Sequence, residues 1–207
     1  MKLCYITDRH LFPGSPEDQR RCVLAKIAEC AAVGVDYIQL REKDLSGREL
    51  YRLAEEAMRL IPSGARTRLL INSRVDIVLA CGAHGVHLPA NGLGARDARA
   101  IFEKAGKRDA LIGVSTHSVE EVLDAREQAA DFVVFGPVFE KNAEFAVSGL
   151  AKLAEACGIS IPVFALGGIT TENAGLCREK GAAGIAGIRL FQRTGAPRFL
   201  LPPTPVI

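Results

Sequence analysis

Eight short apolar runs alternate with longer amphipathic segments from one end of the chain to the other. The runs are almost continuously hydrophobic, which is typical of parallel strands that helices cover on both faces. The predicted strands are Leu3–Thr7, Tyr37–Leu40, Leu69–Asn72, Gly85–Leu88, Leu111–Ser115, Phe132–Phe135, Val163–Leu166 and Gly184–Ile188. The predicted helices are Glu17–Val33, Gly47–Leu60, Val75–Cys81, Ala95–Ala105, Val119–Ala130, Gly149–Ala156 and Thr171–Lys180. This order of elements indicates an α/β fold built on a parallel sheet.

Eight strands are more than an open doubly wound sheet needs, and no Gly-x-Gly-x-x-Gly motif follows the first strand. An internal repeat also favours a closed barrel. Near Gly34, Gly82, Ala129 and Gly181, at intervals of about 47–52 residues, a helix ends on a small residue and a buried strand begins. That interval corresponds to two strand–helix units. We therefore predict one domain over residues 1–207, a (β/α)8 TIM barrel of minimal length, ending in a short helix and a Pro-rich tail over 190–207.

The charge and the aromatic content argue against binding to nucleic acids or membrane surfaces. The 26 Lys and Arg residues nearly balance the 24 Asp and Glu residues, aromatic residues make up 6% of the chain, and Trp is absent. Nucleic acids and membrane surfaces favour a strong basic bias, and base stacking needs aromatic side chains. The six cysteines form no Cys-x-x-Cys pair, and the first apolar stretch is too short for a signal peptide. We expect a cytoplasmic protein with reduced thiols that binds a small molecule, and neither nucleic acid nor membrane.

Barrel enzymes place their working residues where strands end, so the residues after the predicted strands form the candidate site. Gly167, Gly168, Gly187 and Ile188 lie at the ends of the seventh and eighth strands. The glycines let backbone N–H groups approach an anion, and the helix predicted to begin at Thr171 adds a partial positive charge. The alternative is a tight turn with Thr171 as the helix cap. Because barrels often bind phosphate after these two strands, we predict a phosphate site.

Further polar residues end the second, third and fifth predicted strands. Gln39 and Arg41 are two residues apart, so a strand directs both side chains to one face, and Lys43 follows. A guanidinium there can bind a phosphate or carboxylate through two parallel hydrogen bonds. The alternative is a solvated run of charges that pair with each other. Asn72 and Ser115 end the third and fifth strands at the same rim.

Among the four histidines, His117 is the candidate proton carrier. It follows the fifth predicted strand and precedes Ser118-Val119-Glu120-Glu121, a capping-box sequence that begins the next helix. Imidazole is the side chain that most often carries protons near neutral pH; the alternative is ordinary loop polarity. His10 falls in a loop, His84 is expected to face solvent, and His87 either lines the barrel or is a satisfied core histidine. We predict no metal site from His84 and His87, since odd spacing on a strand sends them to opposite faces.

Eight short motifs follow one another along the chain. They are Tyr5-Ile-Thr-Asp8, Ile38-Gln-Leu-Arg41-Glu-Lys43, Ile71-Asn72-Ser-Arg74-Val-Asp76, Gly85-Val-His-Leu88, Ile112-Gly-Val-Ser115-Thr-His117-Ser118, Phe135-Gly-Pro137-Val-Phe, Ala165-Leu-Gly-Gly-Ile169 and Gly181-Ala-Ala-Gly-Ile-Ala186. In this order they resemble the thiamine phosphate synthase/TenI family over nearly the whole chain. The resemblance implies a small (β/α)8 barrel that acts on a thiazole phosphate in thiamine biosynthesis, and it suggests a homodimer.

Three departures from the synthase pattern bear on which branch of the family the chain resembles. The resemblance places the two Mg²⁺-binding aspartates of the synthase at Ser73 and Gly92, and neither residue carries a carboxylate. The synthase loop Thr-x-Thr-Lys, which holds diphosphate, aligns with Lys141-Asn142-Ala143-Glu144. We therefore expect no metal and no cofactor. Only the synthase alternative requires Mg²⁺, at a relocated site that uses Asp44 or Asp76.

The TenI branch is more similar. Asn72–Leu79, Leu88-Pro89 and Ser115–Glu121 resemble TenI-type sequences, in which a histidine at the position of His117 is the general acid/base of a thiazole tautomerase. That enzyme moves a proton so that a carboxythiazole phosphate becomes aromatic. The resemblance therefore implies a TenI-like thiazole tautomerase that needs no metal.

In this hypothesis His117 transfers the proton, and the other site residues bind the substrate. These residues are Gln39, Arg41, Lys43, Asn72, Ser115, Gly167, Gly168, Gly187 and Ile188. Two alternatives stay open. One is a Mg²⁺-dependent thiamine phosphate synthase that joins hydroxymethylpyrimidine diphosphate to thiazole phosphate. The other is a non-catalytic protein that binds a phosphorylated ligand.

Overall fold

The computed structural model describes residues 1–139 and 146–192, without the side chains of 146–148. The strands are β1 (Lys2–Ile6), β2 (Tyr37–Leu40), β3 (Arg68–Asn72), β4 (Gly85–Leu88), β5 (Leu111–Thr116), β6 (Phe132–Phe135), β7 (Val163–Ala165) and β8 (Gly184–Gly187). The helices are α1 (Pro16–Ala32), α2 (Gly47–Leu60), α3 (Val75–Cys81), α4 (Ala95–Lys104), α5 (Val119–Glu127), α6 (Ala146–Cys157), α7 (Ala174–Glu179) and α8 (Arg189–Gln192). A 3-10 turn at Arg9–Leu11 follows β1.

The strands pair in parallel and in chain order, and β8 pairs with β1, so that the sheet closes on itself. At the closure, Lys2 is in register with Gly184 and Tyr5 with Gly187. A helix follows each strand, as the alternating sequence pattern requires. The fold is a (β/α)8 TIM barrel, which confirms the predicted fold class. All eight strands therefore end at one rim of the barrel.

The described residues form two hydrophobic clusters. The larger one lies between the strands and the surrounding helices. The smaller one fills the inside of the barrel and consists of Cys4, Ile6, Leu70, Phe132, Val134, Phe164 and Ala186. Because side chains alternate along a strand, Gln39 shares the inward face of β2 with Tyr37, which stacks on Phe132 at a centroid distance of 4.9 Å. Likewise Ser115 shares a face of β5 with Gly113. The barrel interior thus changes from apolar to polar towards the rim.

The repeated helix ends have a common backbone conformation. Gly34, Gly82, Ala129 and Gly181 all have a positive φ, between 59° and 92°. In this left-handed conformation the chain leaves a helix and turns into the next strand. Glycine adopts it without steric cost, whereas Ala129 carries a Cβ that disfavours it. The repeat seen in the sequence therefore marks four equivalent turns of the barrel.

Three predicted helices differ from the structure by three residues at one end. The helix predicted to begin at Gly149 begins at Ala146. The helix predicted over Val119–Ala130 ends at Glu127, because the N–H of Ala130 bonds the carbonyl of Ala125 and Ala129 has left the helix. The helix predicted to begin at Thr171 begins at Ala174. The prediction of a Pro-rich tail concerns residues 193–207, which lie outside the described ranges. Within those ranges, no helix combines the length and the apolar character needed to cross a membrane.

Candidate active site

A cavity of about 940 Å³ opens at the rim where the strands end. The segments after β2, β3, β4 and β5 contribute most of its lining. Of the predicted site residues, the cavity brings together Gln39, Arg41, Lys43, Asn72, Ser115, His117 and Ile188. Gly167, Gly168 and Gly187 are not among the lining residues in the described ranges, although the neighbouring Leu166 and Ile188 are. The structure thus collects most of the predicted site into one pocket.

Two amide side chains are linked at the cavity wall. The Nε2 of Gln39, which is 2% exposed, donates to Oδ1 of Asn72 at 2.9 Å, and Nδ2 of Asn72 donates to Oγ of Ser73 at 3.0 Å. The Oε1 of Gln39 is buried and has no hydrogen-bond partner among the described residues. An unsatisfied buried carbonyl is costly, so this atom is the acceptor of the pair that the described residues leave unused.

The charged segment after β2 does not pair with itself. In the described ranges the carboxylate of Glu42 bonds to Arg9 and Thr7, whereas Arg41 and Lys43 have no salt bridge. The backbone N–H of Arg41 donates to Oγ1 of Thr7 at 2.9 Å. Two cations without a salt-bridge partner among the described residues therefore line the cavity, which suits an anionic ligand.

His117 is exposed at the rim and held by two hydrogen bonds. Its backbone N–H donates to Oε2 of Glu121 at 2.6 Å, and its Nδ1 lies 2.6 Å from the carbonyl oxygen of Gly136. Because a carbonyl oxygen can only accept, Nδ1 carries the hydrogen in the neutral ring. The lone pair is then on Nε2, which is the ring atom able to take up a proton. The arrangement suits a general base.

The predicted capping box at the start of α5 is only half formed. Oγ of Ser118 accepts from the N–H of Glu121 at 3.2 Å, as predicted. The carboxylate of Glu121 bonds to the N–H of His117 instead of returning to Ser118. Glu121 also lines the cavity. The residue predicted only to begin a helix thus fixes the backbone of the candidate proton carrier.

The glycine pair after β7 has the backbone geometry of a tight turn. Gly167 and Gly168 have φ values of 99° and 62°. A Cβ on Gly168 would lie 2.5 Å from the carbonyl oxygen of Phe139, so a side chain has no room there. Within the described ranges the N–H groups of both glycines make no hydrogen bond. They are free to bind an anion, as the phosphate prediction supposes.

The prediction that a helix beginning at Thr171 adds its partial positive charge to the phosphate site is wrong. Oδ1 of Asn173 accepts from the N–H of Thr170 at 2.8 Å, and its Nδ2 donates to the carbonyl of Gly168 at 2.9 Å. These bonds hold residues 170–173 in a turn. Thr171 is therefore not the cap, and α7 begins only after this turn. The partial positive charge at the start of α7 therefore lies one turn further from Gly167 and Gly168. At that distance the helix dipole stabilises an anion only weakly.

The residues at the synthase's magnesium positions do not fit that ion. Ser73 has a φ of 62°, and its Oγ accepts from Asn72, while Gly92 has no side chain. No group of three or more His, Cys, Asp or Glu side chains in the described ranges could hold a metal ion. Mg²⁺ prefers carboxylate oxygens. The position of Lys141-Asn142-Ala143-Glu144 lies outside the described residues.

The two aspartates considered for a relocated ion are already paired. Arg9 bonds both oxygens of Asp44, and this contact holds the pKa of the Asp44 carboxyl well below its usual range. Arg74 pairs with Asp76 and lowers its pKa as well. A cation at either position would have to displace an arginine. Neither aspartate is a suitable ligand for a relocated ion.

The remaining histidines have different surroundings. His87 is 1% exposed, and its Nε2 lies 2.9 Å from Oγ of Ser115, inside the barrel. Its Nδ1 has no hydrogen-bond partner in the part of the chain that the structure describes, so His87 is not a fully satisfied core histidine there. His84 is half-buried rather than fully solvent-facing, because its Nδ1 accepts from the N–H of Leu69 at 3.0 Å. His10 is exposed in the turn after β1, as predicted.

The sequence did not indicate the contacts that Thr7 and Glu121 make. Thr7 directly follows the first strand, and its partner Glu42 is 35 residues away in the chain. Only the pairing of β1 with β2 brings the two together. The sequence shows that polar residues such as Thr7 end the strands. It does not show which residue each of them contacts, because that depends on the register of the sheet.

Comparisons with known proteins agree with the fold. The family model described as Thiamine monophosphate synthase matches residues 3–191. A thiamine-phosphate synthase from Chlorobium luteolum is 39% identical over 203 residues, which cover 94% of this chain and 87% of the relative. One from Clostridium botulinum is 34% identical over 192 residues, covering 89% and 87%.

Solved structures of similar proteins also have this fold. The thiamine phosphate pyrophosphorylase from Pyrococcus furiosus has a TM-score of 0.78 and 31% identity, and the match covers 96% of this chain and 90% of that one. A 3-hexulose-6-phosphate synthase reaches a TM-score of 0.71 at 16% identity, which is a likeness of fold alone. These relatives carry the names of synthases, which favours the synthase branch, but the names do not test whether this chain is a tautomerase. Since the family model spans nearly the whole chain, the protein belongs to the thiamine monophosphate synthase family.

Proposed function

We propose that this protein is a thiazole tautomerase that moves a proton on a carboxythiazole phosphate without a metal ion. The observation that carries the proposal is the geometry of His117. Its Nδ1–H bonds to the carbonyl of Gly136 at 2.6 Å, which leaves Nε2 as the basic atom of a ring that lines the cavity. In such a reaction one carbon of the substrate loses a proton and another gains one, so a single base that returns its proton is sufficient.

The other cavity residues supply binding and orientation in this proposal. Arg41 and Lys43 are unpaired in the described ranges and line the cavity, so they are suited to the substrate carboxylate. The backbone N–H groups of Gly167, Gly168, Gly187 and Ile188 would bind the phosphate. Gln39 and Asn72 would orient the ring between the two anionic groups, and Ser115 would orient the substrate through its carboxylate. When its carboxylate and its phosphate are both bound, the carbon atoms between them are held close to His117.

Thiamine phosphate synthase is the second candidate, and the names of the relatives favour it. The cavity of about 940 Å³ is at the upper end of the range for small-molecule sites, which leaves space for two substrates. Departure of diphosphate needs its charge neutralised, and the residues at the expected magnesium positions, Ser73 and Gly92, do not fit that task. The donor set of this chain therefore favours the tautomerase.

Replacing His117 by Asn tests the proposal. The Asn side chain can still donate to the carbonyl of Gly136, but it has no basic atom. We expect the rate of tautomerisation to fall by about 10²–10⁴-fold, the usual contribution of a general base. His84→Asn is the matched control, because His84 lies at the opposite end of β4, and its activity should stay close to wild type.

The same assay separates the remaining alternatives. An unchanged rate in His117→Asn would show that His117 is not the base. A wild-type protein that binds the phosphorylated thiazole but never converts it would be a non-catalytic binding protein. Formation of thiamine phosphate from hydroxymethylpyrimidine diphosphate, thiazole phosphate and Mg²⁺ would identify a synthase.

A further inference from the structure

A serine at the cavity contacts a histidine buried inside the barrel. His87 of β4 is 1% exposed, and its Nε2 lies 2.9 Å from Oγ of Ser115 on the neighbouring β5. Ser115 is half-buried and lines the cavity. The hydroxyl of Ser115 therefore lies between a fixed imidazole on one side and the ligand space on the other.

The other ring nitrogen of His87 is buried. Within residues 1–139 and 146–192, Nδ1 has no hydrogen-bond partner. A Cβ on Gly113 would lie 2.9 Å from this Nδ1 and 2.4 Å from Cζ of Phe132, so the backbone of β5 packs closely against the ring. The rings of His87 and Phe132 have a centroid distance of 6.1 Å. A hydrogen on Nδ1 would have no acceptor, and buried N–H groups without acceptors are rare.

The imidazole of His87 is also neutral near pH 7. Burial, and after it the positive charge of Arg41, lowers the pKa of His87 to about 4. A neutral imidazole carries one hydrogen, and the surroundings of Nδ1 leave Nε2 as its position.

We propose that His87 is a positioning residue whose Nε2–H donates to Oγ of Ser115, so that the hydroxyl hydrogen of Ser115 points into the cavity and is donated to the ligand. Oγ receives its hydrogen bond from His87 and must donate its own hydrogen elsewhere. The ligand atom at this point is therefore a hydrogen-bond acceptor. Only the identity of that acceptor rests on the proposed function, where it is a carboxylate oxygen of the carboxythiazole phosphate.

The position of the proton can be measured directly in the ligand-free protein. Two-bond proton–nitrogen NMR spectra of the full chain labelled with nitrogen-15 histidine distinguish a protonated ring nitrogen from a bare one. The His87 signals are recognised among those of the four histidines by their contact with Phe132. We expect a protonated Nε2 and a bare Nδ1. A hydrogen on Nδ1 at neutral pH would overturn the proposal, whatever reaction the protein catalyses.

A double-mutant cycle tests whether His87 acts through Ser115. The probes are 2-carboxy-4-methylthiazole carrying the phosphoethyl group and the same thiazole phosphate without the carboxylate. We expect His87→Leu and Ser115→Ala each to weaken binding of the carboxylated probe by about three- to tenfold, and the double variant to bind no more weakly than Ser115→Ala. His87→Gln, whose amide can donate to Ser115, should retain most of the affinity.

Two results would contradict this role. One is an effect of His87→Leu that adds fully to that of Ser115→Ala. The other is an equal loss of affinity for both probes, which indicates a general structural change. If neither probe binds the wild-type protein, the proposed function fails, and the NMR measurement alone then decides the role of His87.

Discussion

His87 and His117 lie at the ends of neighbouring strands in very different surroundings. His87 is enclosed in the barrel, and burial together with Arg41 lowers the pKa of its imidazole to about 4. His117 is exposed at the rim, where Gly136 fixes which of its nitrogens is basic. The same residue type is thus suited to a fixed neutral contact in one position and to proton transfer in the other.

The low pKa of His87 predicts a dependence of stability on pH. In the unfolded chain its imidazole takes up a proton as the pH falls through about 6.5, whereas in the folded protein it stays neutral down to about 4. The contribution of this group to stability is therefore complete above about pH 6.5 and is lost progressively as the pH falls to about 4. The loss is at most about 1.4 kcal/mol per pH unit, or about 3 kcal/mol in full. Urea unfolding at several pH values measures it.

His87→Gln is the control for this dependence, because it removes the titrating group. Its free energy of unfolding should fall less steeply than that of the wild type between about pH 6.5 and about pH 4. Burial also lowers the pKa of His84, but that histidine is present in both proteins, so the difference in slope isolates His87. Equal slopes would refute the assignment.

At the scale of elements, the site depends on how the ends of β1 and β2 are joined. Thr7 is fully buried after β1, and its Oγ1 donates to Glu42 at 2.6 Å and accepts from the N–H of Arg41 at 2.9 Å. Arg9 from the following turn bonds the same carboxylate. One threonine therefore fixes the segment that carries two of the proposed ligand-binding cations.

Thr7→Val keeps the shape of the side chain and removes its hydroxyl. Losing it leaves the N–H of Arg41 without a partner, so we expect a loss of about 1–3 kcal/mol in the free energy of unfolding. The KM for the carboxythiazole phosphate should also rise several-fold, because Arg41 is less well positioned. Chemical unfolding and steady-state kinetics measure the two effects.

Thr67→Val is the matched control at the opposite end of the barrel. Thr67 is also fully buried, and its Oγ1 donates to the carbonyl of Val35 at 2.6 Å. We expect a comparable loss of stability but no change in KM. An identical rise of KM in both variants would mean that Thr7 acts only through general stability.

The elements themselves were largely predictable from the sequence, for a physical reason. Strands buried on both faces must be apolar throughout, so their limits are visible as hydrophobic runs, and β6 (Phe132–Phe135) has the predicted bounds. The start of α7 was not predictable, because the side chain of Asn173 bonds in two directions and holds a turn that looks like helix in the sequence. The sequence pattern does not show whether a segment such as this one forms a helix or a turn held by hydrogen bonds from a side chain to the backbone.

At the scale of the whole molecule, closure of the barrel explains which site residues the sequence could identify. Strand ends meet at one rim, so Arg41, Asn72, Ser115 and His117 could be assigned to one site before their distances were known. Contacts such as that between His87 and Ser115 depend on the register of β4 with β5, which the sequence does not encode locally. The alternating pattern and the strand ends predicted the barrel and its pocket, and the family resemblance agreed with them, while the branch of the family depends on a few side chains.

The claim that the proton transfer needs no divalent ion is tested most directly by one comparison. The purified protein is incubated with the carboxythiazole phosphate tautomer and hydroxymethylpyrimidine diphosphate, once with EDTA and once with excess Mg²⁺, and phosphorus NMR follows the products. We predict that the aromatic carboxythiazole phosphate forms at the same rate in both samples and that no thiamine phosphate appears. Thiamine phosphate that forms only with Mg²⁺, with no tautomerisation in EDTA, would contradict the claim and identify a synthase.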